Sequence, residues 1–238
     1  MRALLLLGLL LTGGLAGQAH AQDGFVAQNG SVLSYNVFDQ NGRTFVNAAP
    51  DVAGTPFYSD EWRIGTLVVM DNRRYDGIKL RLNLQSGEVH VLDSSRKEIA
   101  LAKGYIKEVL WPGNVRGIPG GTRFQSGFPA IDEHDAFFFY EVLSEGKFWL
   151  LHSIRKVISQ QKDDLSGEVR REYRTYEDYY VYDGKIMQRV KKDKEFILAT
   201  LSDKRDSIGT FIETNKLKLR SIDDIKRTID YYNTLKAG

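Results

Sequence analysis

The chain reads as a mainly β protein, an antiparallel meander, sandwich or partial barrel, with a C-terminal α-helical segment; the class is α+β overall. Three observations predict it. Ile78, Leu80, Leu82 and Leu84 alternate with Lys79, Arg81, Asn83 and Gln85. Successive side chains of a strand point to opposite faces, so this alternation marks a strand with one dry and one wet face. Short turn signals separate each strand-like run from the next, and short connections favour antiparallel neighbours over βαβ units. Beyond residue 191 the apolar spacing changes to three and four residues, which is helical.

The elements follow in order. Met1-Arg2 gives a positive start, residues 3–11 are apolar apart from Gly8, and Ala19-His20-Ala21 offers a small-x-small cleavage pattern. Residues 1–21 thus have the layout of a secretory signal peptide, with Gln22 as the expected mature start. The apolar run is about half of the ~20 residues that a spanning helix needs. The expectation is an exported protein of the periplasm or cell surface, with no transmembrane segment after cleavage near Ala21 and with peripheral membrane contact left open. Residues 22–60, rich in Gly, Asn, Gln, Ser and Ala, read as a loosely structured lead-in.

Residues 61–191 read as the antiparallel β-rich region. Strands are expected over 66–71, 78–84, 88–93, 98–102, 105–110, 123–128, 136–143, 147–158, 173–182 and 185–190. Asp76-Gly77 and Gln85-Ser86-Gly87 read as turns, because glycine supplies the positive φ that tight turns require. Ser144-Glu145-Gly146 reads as a third turn, and Asp183-Gly184 as the centre of a two-residue hairpin. In the run from Phe137 to Val142, and again from Phe148 to Leu151, both faces are apolar. Such strands sit centrally with cover on both sides, and the helical tail is the natural cover.

Residues 192–238 read as three helices packing on the sheet, in one domain with residues 61–191. Phe196, Ile197 and Leu201 form one stripe, Ile208, Phe211 and Ile212 a second, and Ile222, Ile225, Ile229, Tyr232 and Leu235 a third. Ser221 with Asp224 resembles a capping box. Asn215 is expected to end the second helix, since asparagine tolerates the left-handed conformation.

Composition excludes several classes. The 238 residues are 42% apolar and 27% charged, which rules out a collagenous, low-complexity or wholly disordered chain. The net charge of +2 becomes +1 once Arg2 leaves with the leader, far from the basic excess of a nucleic-acid binder. With no cysteine, disulfides, thiolate nucleophiles, cysteine-zinc sites and a lipobox anchor are excluded.

Chemistry-bearing patterns are few. His90 and His152 have no partner at ligand spacing, so both read as structural or surface histidines. Asp132-Glu133-His134-Asp135 gathers four donor groups, yet consecutive residues rarely all face one ion, and the run reads as a polar turn rather than a metal site. Gly117-Ile118-Pro119-Gly120-Gly121-Thr122 lacks the lysine of a phosphate-binding loop. No nucleophile elbow or zinc-protease helix is present. No catalytic residue, metal or cofactor is therefore assigned. Ligand contacts are expected at Trp111, Arg116 and Arg123 around the glycine-rich loop, because loops of that length carry function. They are also expected at Tyr176 and Tyr180 in a tyrosine-rich strand beside Arg170, Arg171 and Arg174, because aromatic faces interleaved with arginine stack sugars and peptide side chains.

The order of Glu61-Trp62, Gly65, Asp76-Gly77, Lys79-Leu80-Arg81-Leu82-Asn83, Gly127-Phe128-Pro129, Phe139-Tyr140-Glu141-Val142-Leu143, Lys216-Leu217-Lys218-Leu219 and Tyr231-Tyr232-Asn233 resembles a family of uncharacterised exported proteins of Bacteroidota-type Gram-negative bacteria. The resemblance runs from about residue 57 to the C-terminus. It implies the periplasm or envelope surface as compartment, and it implies no catalytic residue. The expected role is a non-catalytic binding or structural module of the cell envelope. The alternatives are a hydrolase of envelope glycans or peptides, marked by two carboxyls facing each other in a cleft, and a chaperone or assembly partner of another envelope protein.

Overall fold

The computed structural model describes residues 25–26, 32–33, 52–113, 121–162 and 167–235. Two short strands near the N-terminus, β1 (Phe25–Val26) and β2 (Val32–Leu33), pair antiparallel with each other. The main body runs through β3 (Val52–Ala53), β4 (Arg63–Val69), β5 (Arg74–Leu82), β6 (Val89–Leu92), β7 (Glu98–Leu101) and β8 (Ile106–Trp111). It continues through β9 (Thr122–Gln125), β10 (Tyr140–Ser144), β11 (Trp149–Lys162), β12 (Val169–Tyr182) and β13 (Met187–Arg189). Three helices close the chain: α1 (Lys194–Thr200), α2 (Arg205–Thr214) and α3 (Ile222–Thr234). The protein is thus mainly β with a small C-terminal helical segment, as the sequence predicts.

Eleven strands form one open sheet in the order β7-β6-β5-β4-β8-β9-β10-β11-β12-β13, and β3 joins it parallel to β12 beside Arg171 and Glu172. Every other ladder of this sheet is antiparallel. One connection departs from the meander. Residues 102–105 link β7 to β8, with β6, β5 and β4 lying between them in the sheet. A link of that length reaches at most roughly 17 Å, whereas four strand spacings of a flat sheet span roughly 19 Å. The sheet must therefore curl, and its concave side is filled by Leu67, Tyr75, Leu80, Leu82, Val91, Leu101, Val109, Trp111 and Phe124.

A second core lies under the helices. Leu150 and Val181 of the sheet pack with Ile197, Leu201, Ile208, Ile212, Ile225, Ile229 and Tyr232. The reverse face of the same strands is covered by residues 126–139 instead, where Phe128 packs with Tyr140, Leu151, Tyr180 and Met187, and Ile131 and Phe138 join from the side. The helical tail thus covers one side of the central strands, and a loop covers the other. Asn233 fastens α3 to the sheet: its Nδ2 donates to the Phe148 carbonyl at 2.8 Å, and its Oδ1 accepts from the Phe148 amide at 3.1 Å. A Cβ at Gly146 would overlap the Asn233 side chain, so glycine keeps that seat open.

Several local expectations are corrected. Asp76-Gly77 is not a turn. Gly65 pairs with Ile78 and Leu67 with Tyr75, so Asp76 and Gly77 together face Thr66 as a bulge inside β5. Such an insertion kinks and twists a strand, and Gly77 meets it at φ +73°. The strand expected over 136–143 starts at Tyr140. The three preceding phenylalanines do not alternate: Phe137 is 44% exposed, Phe138 stacks on His134, and Phe139 enters the concave core. In the last hairpin, the Asp183 amide donates to the Ile186 carbonyl at 3.3 Å, which makes Gly184-Lys185 the central pair, one residue later than expected. The folded body also starts before residue 61, since Phe57 and Tyr58 are buried and the Tyr58 amide donates to the Leu82 carbonyl.

Candidate functional site

Three central strands align one row of polar side chains on the face beneath α3. Glu141 of β10 pairs with His152 of β11, which pairs with Tyr179 of β12. One step along, Ile154 pairs with Glu177, and strand parity places Glu177 on the same face as Tyr179. The first turns of α3 bring Ile222, Asp223 and Lys226 over this row, and Leu143 and Tyr58 complete the lining of a cavity of about 390 Å³. That volume lies within the range of small-molecule sites.

The cavity has an ionisable floor. Glu141 is 4% exposed and His152 8%. A buried carboxylate is costly unless it is paired and hydrogen-bonded. His152 provides that partner, with Nδ1 at 2.8 Å from Glu141 Oε2. The imidazole also stacks on the Tyr179 ring, with centroids 4.5 Å apart and planes 9° from parallel. Its Nε2 is buried without a hydrogen-bond partner and lies 3.8 Å from Glu177 Oε2. Burial raises the Tyr179 phenol above its ordinary range, and the charges of Glu177, Glu141 and Asp223 raise it further. Lys226 is engaged elsewhere, since its Nζ lies 2.6 Å from Asp230.

The residues expected as ligand contacts are dispersed. Trp111 lies buried in β8 between Tyr58 and Phe124. Arg116 lies outside the described residues. Arg123 of β9 pairs with Glu145 at 2.5 Å and Glu108 at 3.2 Å, and its guanidinium sits over Trp149. Tyr176 is 49% exposed, and Tyr180 is fully buried with its hydroxyl donating to Asp132 at 2.7 Å. Parity puts both on the opposite face of β12 from the cavity. The tyrosine of this strand that reaches the cavity is Tyr179. Of the neighbouring arginines, Arg170 pairs with Glu168, Arg174 with Glu172, and Arg171 with Gln160.

The run Asp132-Glu133-His134-Asp135 diverges. Asp132 accepts from Tyr180 and Arg189, Glu133 pairs with Arg155, His134 Nδ1 meets the Tyr140 hydroxyl at 2.7 Å, and Asp135 pairs with Lys103. Among the described residues no group of three or more His, Cys, Asp or Glu side chains is arranged to hold a metal. His90 is buried in a separate cluster on β6, with Nδ1 2.5 Å from Glu98, whose two oxygens both accept from Arg81 at 2.9 Å. The Arg81 guanidinium lies over the Phe57 and Trp62 rings.

The cavity's polar floor escapes a reading by ligand spacing, because Glu141 and His152 are eleven residues apart and meet only through strand pairing. A signal was nonetheless present. Glu141 interrupts Phe139-Tyr140-Glu141-Val142-Leu143, and His152 interrupts Leu150-Leu151-His152-Ser153-Ile154. An ionisable group in a strand apolar on both faces must find a partner on a neighbouring strand.

No protein-family model, no curated protein and no solved structure matches the chain.

Proposed function

We propose that this is an exported cell-envelope protein acting as a non-catalytic binding module, with the cavity between the sheet and α3 as its ligand site. The observation that carries the reading is the buried Glu141–His152 pair flooring a cavity of about 390 Å³. A concave site with apolar walls and a few convergent polar groups is the kind of place where small ligands bind. The lining contains no serine, threonine or cysteine, so it offers no alcohol or thiol for an acyl-enzyme route. Export is supported by the secretory layout of residues 1–21 and by the resemblance of residues 57 onward to exported Bacteroidota-type proteins. No helix among the described residues is long and apolar enough to cross a membrane.

One observation favours a second reading. Glu141 and Glu177 address the two nitrogens of His152 in the same cavity. Carboxylates around an imidazole are general acid–base equipment, so a hydrolase of envelope glycans or peptides is the alternative.

A thermal-shift screen against envelope glycans, peptides and lipid head groups, run beside a turnover assay, tests both. A ligand bound only to the folded state stabilises it by about 2.7 kcal/mol at a hundredfold excess over Kd. The binding module predicts a shift without turnover, lost when Ile222→Trp fills the cavity. Turnover abolished by Glu177→Gln would establish the hydrolase instead. A flat screen and no turnover would reject the cavity as a functional site. Recovery of Met1 on the protein from cells would reject cleavage of the leader.

A further inference from the structure

The identity of the group that the cavity accepts rests on the binding reading above and goes beyond it. We infer that the cavity takes a cationic nitrogen, an ammonium or guanidinium head, that bridges His152 Nε2 and the Glu177 carboxylate from the cavity side.

The hydrogen-bond inventory leads there. A carboxylate offers only lone pairs, so Glu141 at 2.8 Å from Nδ1 fixes that nitrogen as the donor of His152. In the neutral ring Nε2 is then an acceptor. It is buried and has no hydrogen-bond partner. Across 3.8 Å stands Glu177 Oε2, a second acceptor, and that separation exceeds a hydrogen bond. With the ring neutral, two acceptors face each other with no hydrogen between them. A nitrogen carrying two or more N–H groups satisfies both at once. A carboxylate or phosphate would satisfy neither and would set like charges side by side.

Charge and shape agree. Asp223 adds a third carboxylate to the lining from the first turn of α3. Lys226, the cation among the lining residues, is neutralised by Asp230 at 2.6 Å. The apolar side chains Leu143 and Ile222 in the lining suit a cation borne on an apolar or aromatic body.

Three probes with one ring and different heads test the inference on the purified full chain: benzylamine, benzyl alcohol and benzoate, titrated by calorimetry and followed by thermal shift. Benzylamine is expected to bind at least tenfold more tightly than the other two. Glu177→Gln, at a half-exposed position that does not support the core, is expected to weaken benzylamine at least tenfold while leaving the melting temperature of the free protein unchanged. Equal or tighter binding of benzyl alcohol or benzoate overturns the inference, as does benzylamine binding that Glu177→Gln leaves intact. If benzoate or benzyl alcohol binds and Ile222→Trp abolishes that binding, the cavity remains a ligand site and only its preference for a cation falls. If none of the three binds and the wider screen is flat, both readings fall.

Discussion

His90 stands between opposing electrostatic demands. Its burial disfavours the charged ring, but hydrogen bonds and charge from Glu88 and Glu98 outweigh burial and raise its pKa above the ordinary histidine value. A raised folded pKa means that the stabilisation is complete below the unfolded value of about 6.5 and fades as pH rises through the folded value. His134 has the opposite sign. Burial, followed by the Arg155 charge, lowers its pKa, so its contribution is present above about pH 6.5 and is lost on acidification. The difference in melting temperature between wild type and His90→Gln is therefore expected to be larger at pH 6 than at pH 9. A difference that is constant, or larger at pH 9, would remove the charged role of His90. At this scale the sequence is informative about burial and silent about partners. The apolar neighbours of Glu141 and His152 mark both as enclosed. Which carboxylate meets which ring nitrogen depends on strand register, which no local pattern states.

Element ends show how local chemistry can be recognised and still misplaced by one residue. α2 ends in a Schellman arrangement: the Leu217 amide donates to the Ile212 carbonyl at 2.9 Å, and the Lys216 amide to the Glu213 carbonyl at 3.1 Å. The left-handed residue is Lys216 at φ +53°, while Asn215, expected in that role, stays at φ −88°. Asparagine was the better candidate by propensity, but Leu217 must turn back into the core beside Ile212, and that contact sets the register. Lys216→Gly is accordingly expected to stabilise the protein by about 0.5–1 kcal/mol, since glycine adopts this conformation without Cβ strain. Chemical denaturation measures it, and a loss of stability would contradict the strain. At α3 only half of the expected capping box forms. Ser221 accepts from the Asp224 amide at 3.2 Å, while the Asp224 carboxylate turns to the amides of Lys218 and Leu219 at 3.0 Å each. The shorter acid thereby ties the preceding loop to the helix start.

At the scale of the molecule, β11 and β12 pair through fourteen residues each, from Trp149 opposite Tyr182 to Lys162 opposite Val169. Their inner halves hold Leu150, Leu151, Ile154, Tyr180 and Val181 in the cores, while most of residues 157–162 and 169–177 remain exposed. Local opening follows local burial, so amides of residues 157–162 and 173–176 are expected to exchange at least tenfold faster than those of 149–154 and 179–182. Uniform protection along the hairpin, read by hydrogen exchange, would show that the outer half is held by more than its own ladder. Alternation and turn residues made most strands and the helical tail legible. The curl of the sheet was not, because it depends on β8 choosing β4 over β7, a choice between edges that no short window contains. That choice also dictates an order of assembly. From β9 to β13 every strand pairs with the one immediately before it, so once β8 has docked, the rest of the sheet can lengthen in step with the chain, one hairpin at a time. The non-local search of folding in this sheet is thereby reduced to two events, the landing of β8 on the far edge of β4 and the later closure of β3 onto β12.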